Sequence, residues 1–277
     1  MRRFIPAVAG LAIALSPAIA SDRSHRATMV DAIRKTVHQR APDADGPALA
    51  IVLKAMAAVP RAPFVPAEYR RWTYRETSLP IGYGQTISDP YVVAVMTMAA
   101  ALPVRANVLD IGTGSGYQAA VLAQMGATVT SIEIVKPLAD TARDRLAALG
   151  FRNVEVRAGD GYAGAPDRAP FDAIIVAAGT DKVPPALLDQ VKIGGRIIMP
   201  IGAQWADEQL LVITRTGAES TERCTLGWVM FVPLTGQGER PPRSAGLFDT
   251  ALKQCYHATL VAPMFTRSPP QPERVRR

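Results

Sequence analysis

Two apolar rhythms run along this 277-residue chain, and one gives way to the other near residue 106. The first is helical. Residues 26–59 read as helices broken at Ala41-Pro42-Asp43-Ala44-Asp45-Gly46-Pro47; in the second helix Leu49, Val52, Leu53, Met56 and Val59 recur at helical intervals. Residues 60–90 lose the rhythm. They are rich in Pro, Gly and aromatics, and so long an aperiodic stretch inside a domain points to a functional loop or a linker. A helix is predicted from Pro90 to Leu102, with Pro at a tolerated first-turn position. From Asn107 onward short apolar strands alternate with helices. Strands are predicted at Asn107–Ile111, Thr128–Ile134, Asn153–Arg157, Asp172–Ala177, Arg196–Ile201, Gln209–Thr214 and Trp228–Val232. Helices are predicted at Gly116–Met125, Pro137–Leu149 and Pro184–Val191, the second closed by Gly150. This alternation predicts an α/β fold, a doubly wound and mostly parallel seven-stranded sheet preceded by a helical region. The unbroken run Ala173-Ile174-Ile175-Val176 agrees, because a parallel strand buried on both faces loses its polar alternation.

Composition changes this picture mainly at the ends. The chain is 48% hydrophobic and 20% charged, which excludes collagen-like and wholly disordered classes. No run approaches the roughly 18 apolar residues of a membrane span, so no stable membrane insertion is expected. Residues 1–20 have the form of a secretory leader: Arg2-Arg3, an apolar stretch Phe4–Leu15, then Ala18-Ile19-Ala20. The net charge of +7 is largely an end effect, since residues 1–20 carry two Arg and no acid and Arg267–Arg277 carries four Arg against one Glu. The remainder, near +2, gives no reason to expect nucleic-acid binding. Cys224 and Cys255 lack metal-site spacing, and no metal is expected. They could pair after export or remain buried thiols. The organisation expected is a leader-like segment (1–20), a helical and loop region (21–105), a core (106–240) and a Pro/Arg-rich extension (241–277), whose tail reads as a solvated end.

The chemistry concentrates in Val108-Leu109-Asp110-Ile111-Gly112-Thr113-Gly114-Ser115-Gly116, a strand running into glycines and then a helix. Such a loop lies where open α/β sheets bind ligands. Its spacing is G-x-G-x-G, with Tyr117 where a dinucleotide loop has its third glycine. Asp110 before the loop would repel a phosphate, so S-adenosylmethionine (SAM), which has no pyrophosphate, suits it better than a nicotinamide. Asp110 could order the loop or hold a ligand ammonium through water. Glu133 ends the next strand, twenty-one residues after Gly112, where an acid accepts from ribose hydroxyls. Asp160-Gly161 reads equally as an acceptor for an adenine amino group, with Gly161 leaving room for the ring, or as a simple Asp-Gly turn.

With these residues in view the chain resembles the protein-L-isoaspartate O-methyltransferase family. The resemblance rests on Ile81-Gly82-Tyr83-Gly84-Gln85-Thr86-Ile87-Ser88, Val108–Gly116, Gly159-Asp160-Gly161, Phe171–Val176 and Val232-Pro233-Leu234-Thr235-Gly236, in that order. It implies a SAM-binding methyltransferase sheet whose last strands are ordered differently from most methyltransferases. Ser88 matches the family's active-site serine. Thr86 and Ile87 match backbone around substrate and cofactor. Gly112, Thr113, Gly114, Gly116, Glu133, Asp160 and Gly161 match cofactor contacts, and Thr235 matches a late loop closing on the site. The implied partners are peptides and proteins bearing exposed L-isoaspartyl residues, methylated on the α-carboxylate. Two departures stand out. Asp89 occupies a position that is neutral in the family, and an anion there repels a substrate carboxylate unless it points away. Met230 stands where bacterial relatives often carry a basic residue. The alternatives are a methyltransferase for another acceptor and a SAM-binding protein without turnover. The leader-like segment points to the periplasm; cytosolic synthesis of SAM and the family resemblance point to the cytoplasm.

Overall fold

The central sheet takes its layout from strands whose successive residues feed two different cores. In the computed structural model, which describes residues 17–202, 208–238, 252–256 and 260–261, Val108, Ala173, Ile175 and Ile198 belong to one buried cluster. Their neighbours Leu109, Ile174, Val176 and Ile197 belong to the other. That alternation is the pleat of a sheet covered on both faces.

A small antiparallel hairpin, β1 (Leu79–Gly82) and β2 (Gln85–Ile87), stands apart from the main sheet. The main sheet has seven strands: β3 (Asn107–Ile111), β4 (Thr128–Glu133), β5 (Val154–Ala158), β6 (Phe171–Val176), β7 (Val191–Gly202), β8 (Glu208–Arg215) and β9 (Thr221–Val229). Their spatial order is β5-β4-β3-β6-β7-β8-β9. Strands β5 through β7 are mutually parallel, while β8 and β9 return antiparallel. The chain moves outward from β3 through β4 to β5 and then resumes on the other side of β3. That reversal opens a crevice at the carboxyl ends of β3 and β6, the place where such sheets bind ligands.

Helices α1 (Pro17–Arg40), α2 (Pro47–Ala58), α3 (Pro90–Ala99) and α4 (Tyr117–Gln124) pack on one face. Every residue of α3 is buried, which explains its lack of amphipathic pattern: it is enclosed all round. Helix α5 (Lys136–Ala148) covers β4 and β5, and α6 (Pro185–Gln190) lies against β7 on the other face.

The expected alternation of helix and strand is present, with three differences. The last strand is Thr221–Val229 instead of Trp228–Val232. Its first half, Thr221-Glu222-Arg223, is partly or fully exposed, so polar residues disguise it. The aperiodic stretch 60–90 contains hairpin β1–β2 and two short 3-10 helices. The C-terminal extension, for which no element was expected, is in part built into the fold: Leu260 and Val261 are buried, and Cys255 is bonded to Cys224 across a Cα–Cα distance of 5.0 Å. The leader-like residues 1–16 and most of the Pro/Arg-rich tail lie outside the described residues.

The irregular stretch is anchored by Phe64, 1% exposed, whose ring meets Tyr117 of α4 edge-on at 5.5 Å. Phe64→Ala is expected to cost about 3–5 kcal/mol, read as a lower midpoint in urea unfolding.

Candidate active site

At the crevice the glycine loop follows β3. The Gly112 and Thr113 N–H groups donate to Ile132 O on β4 (2.9 and 3.2 Å), so the loop is held by the neighbouring strand before any ligand arrives. Gly116 has φ +92°, and a Cβ there would lie 3.2 Å from Leu146 of α5. A glycine suits both that backbone angle and the close packing of loop on helix.

One pocket gathers most of the expected residues. Its walls include Thr86, Ile87 and Ser88 on one flank and Gly112, Thr113, Gly114 and Glu133 on the other, with Gly161 and Thr235 completing it. Gly116 and Asp160 are not among its walls.

Glu133 closes β4. Its Oε2 accepts from the Gly114 N–H (2.8 Å) and its Oε1 from the Val135 N–H (2.9 Å). Each oxygen keeps a second lone pair for a ligand hydroxyl.

Asp160 is used differently. Its carboxylate accepts from the N–H of Tyr162 (2.8 Å) and the N–H of Gln237 (2.7 Å), tying its turn to the late loop. Neither the adenine acceptor nor the simple Asp-Gly turn expected at Asp160-Gly161 includes this cross-link. The room expected beside Gly161 is absent on its Cβ side, where a methyl would come within 2.4 Å of Ile111 Cγ2.

Ser88 is partly exposed in the pocket wall, and among the described residues its hydroxyl has no hydrogen-bond partner. The helix cap is Asp89: the Tyr91 N–H donates to its Oδ1 (2.7 Å), opening α3. Asp89 is 3% exposed, and burial raises its carboxyl to about 6 against the opposing pull of the Tyr91 N–H and the nearby Arg61.

Arg61 is fully buried and has no counterpart in the sequence reading. Its Nη2 donates to Ser88 O (2.7 Å), its Nε donates to Thr73 O (2.9 Å), and its guanidinium lies 4.6 Å from the centre of the Tyr117 ring. The only hint was a charge placed between apolar residues and prolines, Val59-Pro60-Arg61-Ala62-Pro63-Phe64.

Two further carboxylates are buried around the pocket. Behind the loop, Asp110 Oδ2 accepts from the Ser131 hydroxyl (2.7 Å), which in turn meets the Thr113 hydroxyl (2.6 Å). Asp110 Oδ1 is buried without a partner, and burial lifts this carboxyl to about 7, with Glu133 adding to the rise. On the far side Glu208 Oε2 accepts from the Phe231 N–H (2.8 Å), which fixes the start of the late loop beside Gly179. Burial raises Glu208 to about 7 as well. Burial thus disfavours the ionised form of both carboxyls, and a cation bound nearby would favour it. No group of potential metal ligands exists among the described residues, and no described helix is long and apolar enough to cross a membrane.

The comparisons agree with this geometry. A family model described as Protein-L-isoaspartate(D-aspartate) O-methyltransferase (PCMT) matches residues 46–239. Over 184 residues the chain is 53% identical to a protein-L-isoaspartate O-methyltransferase of Gloeobacter violaceus, covering 66% of this chain and 89% of that one. Over 212 residues it is 46% identical to protein-L-isoaspartate O-methyltransferase 2 of a Polaromonas species, covering 76% of this chain and all of the relative. A solved protein-L-isoaspartate O-methyltransferase superposes with a TM-score of 0.67 at 26% identity, over 76% of this chain and 66% of that chain. A Plasmodium falciparum protein assigned as a beta-aspartate methyltransferase, solved with S-adenosyl-L-homocysteine, shares the fold with a TM-score of 0.62 at 23% identity, over 77% of this chain and 98% of that one.

Glu208 gives the site a pH signature. Its carboxyl titrates near 7 in the fold against an ordinary value of 4.5, so its contribution to stability is full below pH 4.5 and is lost as pH rises through about 7. Glu208→Gln keeps the acceptor for Phe231 and removes that loss. The variant's melting temperature is expected to exceed the parent's at pH 8.5 by an amount on the order of 1–3 kcal/mol of stability, and the gap is expected to shrink by pH 5.

Proposed function

We infer the activity of this chain from one fact, that it belongs to the protein-L-isoaspartate(D-aspartate) O-methyltransferase family. It transfers a methyl group from SAM to the α-carboxylate of L-isoaspartyl residues in proteins and peptides. The observation that carries this reading is a single pocket walled both by Thr86–Ser88 and by the glycine loop with Glu133; the first would serve the acceptor and the second the cofactor.

SAM fits the residues present. Bound there, it supplies a methyl on a positively charged sulfur. Glu133, with a lone pair spare on each oxygen, would hold the ribose. Gly112, Thr113 and Gly114 would line the methionine portion, and Asp110, with one buried oxygen unpartnered, would favour the ligand's positive charge from behind the loop. Gly161 and Thr235 would bound the adenosine side, while Gly116 and Asp160 would support the site through packing and through the Gln237 link.

The acceptor needs no base, because a carboxylic acid of pKa near ~4 is already ionised at neutral pH. The histidines agree with this. His25 stacks on Tyr74 and His38 faces Asp45, both away from the pocket, and His257 lies outside the described residues. The protein's task is placement, and holding two reactants near attack distance can contribute about 7–11 kcal/mol. Ser88 would donate its free hydroxyl to the substrate carboxylate or the adjacent peptide. Arg61, gripping the Ser88 carbonyl, would fix that donor in place. The repulsion expected from Asp89 is reduced by its commitment to the Tyr91 N–H and by the Arg61 charge beneath it. Ile111, Ile132, Phe231 and Leu234 keep water from the walls. Transfer leaves S-adenosylhomocysteine and a methyl ester, whose methoxy group departs far more readily than a carboxylate oxygen. The neighbouring backbone nitrogen attacks the ester carbonyl and closes a succinimide with loss of methanol, and hydrolysis of the succinimide returns part of the material to normal aspartate.

The Cys224–Cys255 disulfide supports an oxidising compartment, where such bonds persist, and with it export directed by residues 1–20. Removal of those residues after Ala20 would leave Asp22 in place with its partners Arg26 and Tyr74. Mass spectrometry of the protein from a periplasmic extract is expected to show a chain beginning at Ser21; an intact Met1 chain confined to the cytosol would refute export.

For the activity, labelled SAM is offered with an isoaspartyl peptide and its aspartyl twin. Label is expected on the isoaspartyl peptide alone. Ser88→Ala is expected to lower kcat/KM about 10- to 100-fold, the value of one hydrogen bond to a charged group, with SAM affinity retained. Equal activity in the variant would remove Ser88 from catalysis.

A further inference from the structure

The C-terminal extension lies beyond the residues that the family model matches, yet it contributes to the pocket. Its described residues, 252–256 and 260–261, pair through the backbone with β9. The Thr225 N–H donates to Lys253 O (3.0 Å) and the Cys255 N–H donates back to Thr225 O (2.9 Å). Farther on, the Val261 N–H donates to Leu226 O and the Trp228 N–H to Val261 O, both at 2.9 Å. The Cys224–Cys255 disulfide fastens the near end of this strap. The far end is fastened at Leu260, whose carbonyl accepts from the Tyr91 hydroxyl (2.6 Å) and from Arg40 Nη1 (3.0 Å).

Those fastenings determine where Val261 falls. Tyr91 is in the first turn of α3, three residues after Ser88, and Trp228 is itself a wall of the pocket. Val261 is therefore inserted between β9 and the Ser88 flank, 1% exposed, with its side chain in the pocket wall beside Trp228 and Val92. The glycine loop and Glu133 line the same pocket.

We propose that Val261, carried by the disulfide-fastened strap, is a specificity-determining residue of the acceptor subsite and limits the size of the side chain next to the methylated isoaspartyl residue. The assignment rests on the methyltransferase reading above. The strap adds an apolar wall of fixed position. Because an apolar wall discriminates by size, neighbours with small or medium side chains are accepted and bulky aromatic ones are disfavoured.

The test uses the full chain and two isoaspartyl peptides that differ only in the flanking residue, Ala in one and Trp in the other. The quantity read is the ratio of their kcat/KM values, with SAM affinity measured by calorimetry. Val261→Ala is expected to narrow the preference for the Ala peptide by roughly 10-fold, the low end of the range for one methylene-scale contact. Val261→Phe is expected to widen it. Both should leave SAM affinity within about twofold, as neither touches the cofactor flank. Paired Cys224→Ser and Cys255→Ser substitutions release the strap without altering Val261 and are expected to reproduce the Val261→Ala ratio; this keeps the test open should Val261→Phe fail to fold. Methyl transfer with an unchanged ratio in Val261→Ala and in the paired serine variant overturns the assignment while leaving the methyltransferase reading intact. A parent chain that methylates neither peptide overturns both.

Discussion

A guanidinium sealed from water must give its donors to the protein, and Arg61 does so in three directions. It reaches the carbonyl of Ser88, the carbonyl of Thr73 and the face of Tyr117. The first belongs to the acceptor flank, the second to the aperiodic stretch, and the third to the helix that follows the glycine loop. Desolvating a charge of this kind costs several kcal/mol, which its partners must offset. The cost is recovered only when all three elements are in register, so the same interaction that assembles the N-terminal region also sets the position of Ser88 relative to the loop. Asp89, the unusual acid of this chain, adds to the arrangement: its charge favours the guanidinium beneath it while its oxygen caps α3.

Much of this fold was legible because burial leaves a simple mark on sequence. Strands β3 and β6 are enclosed on both sides and read as largely apolar runs, and β4 reads as a β-branched one. The glycine loop was legible because loop, strand and helix occur in one unbroken order, and Glu133 because its distance from the loop is set by one helix and one strand. Where a strand faces water the mark fades, and β9 was displaced toward the apolar Trp228–Val232 segment. Arg61 was illegible for a related reason: its role depends on groups 12 and 27 residues away, and local pattern carries no such information. The pairing of Cys224 with Cys255 lay in the same category, as spacing alone gives no distance.

The site residues divide along similar lines. Glu133 and the Gly112–Gly114 segment lie where their pattern placed them, in the pocket wall. Gly116 and Asp160 matched the same motifs, yet lie outside the pocket wall against Leu146 and the N–H of Gln237, while Gly161 lines the pocket and also packs against Ile111. A motif residue can persist because it contacts a ligand or because it lets the ligand's contacts stand close together, and sequence does not separate the two. Glu133 lines the cavity, and Asp110 and Glu208 are buried next to its wall residues Ile111 and Phe231; its proposed first occupant is a cation. An anionic acceptor is then drawn to a site whose charge has already been offset.

The strap along β9 has a consequence apart from the pocket. A sheet of seven strands has two open edges, and each presents unpaired backbone groups to any passing strand. At the β5 edge the defence is charge: Arg157 bridges Glu155 and Asp167, and Arg168 joins the same cluster. At the β9 edge the chain supplies its own extra pairing, with bridges at Thr225–Gln254 and Gly227–Val261. Loss of the extension would leave a partly apolar strand exposed, and the first effect would be self-association of the protein into sheet-paired aggregates.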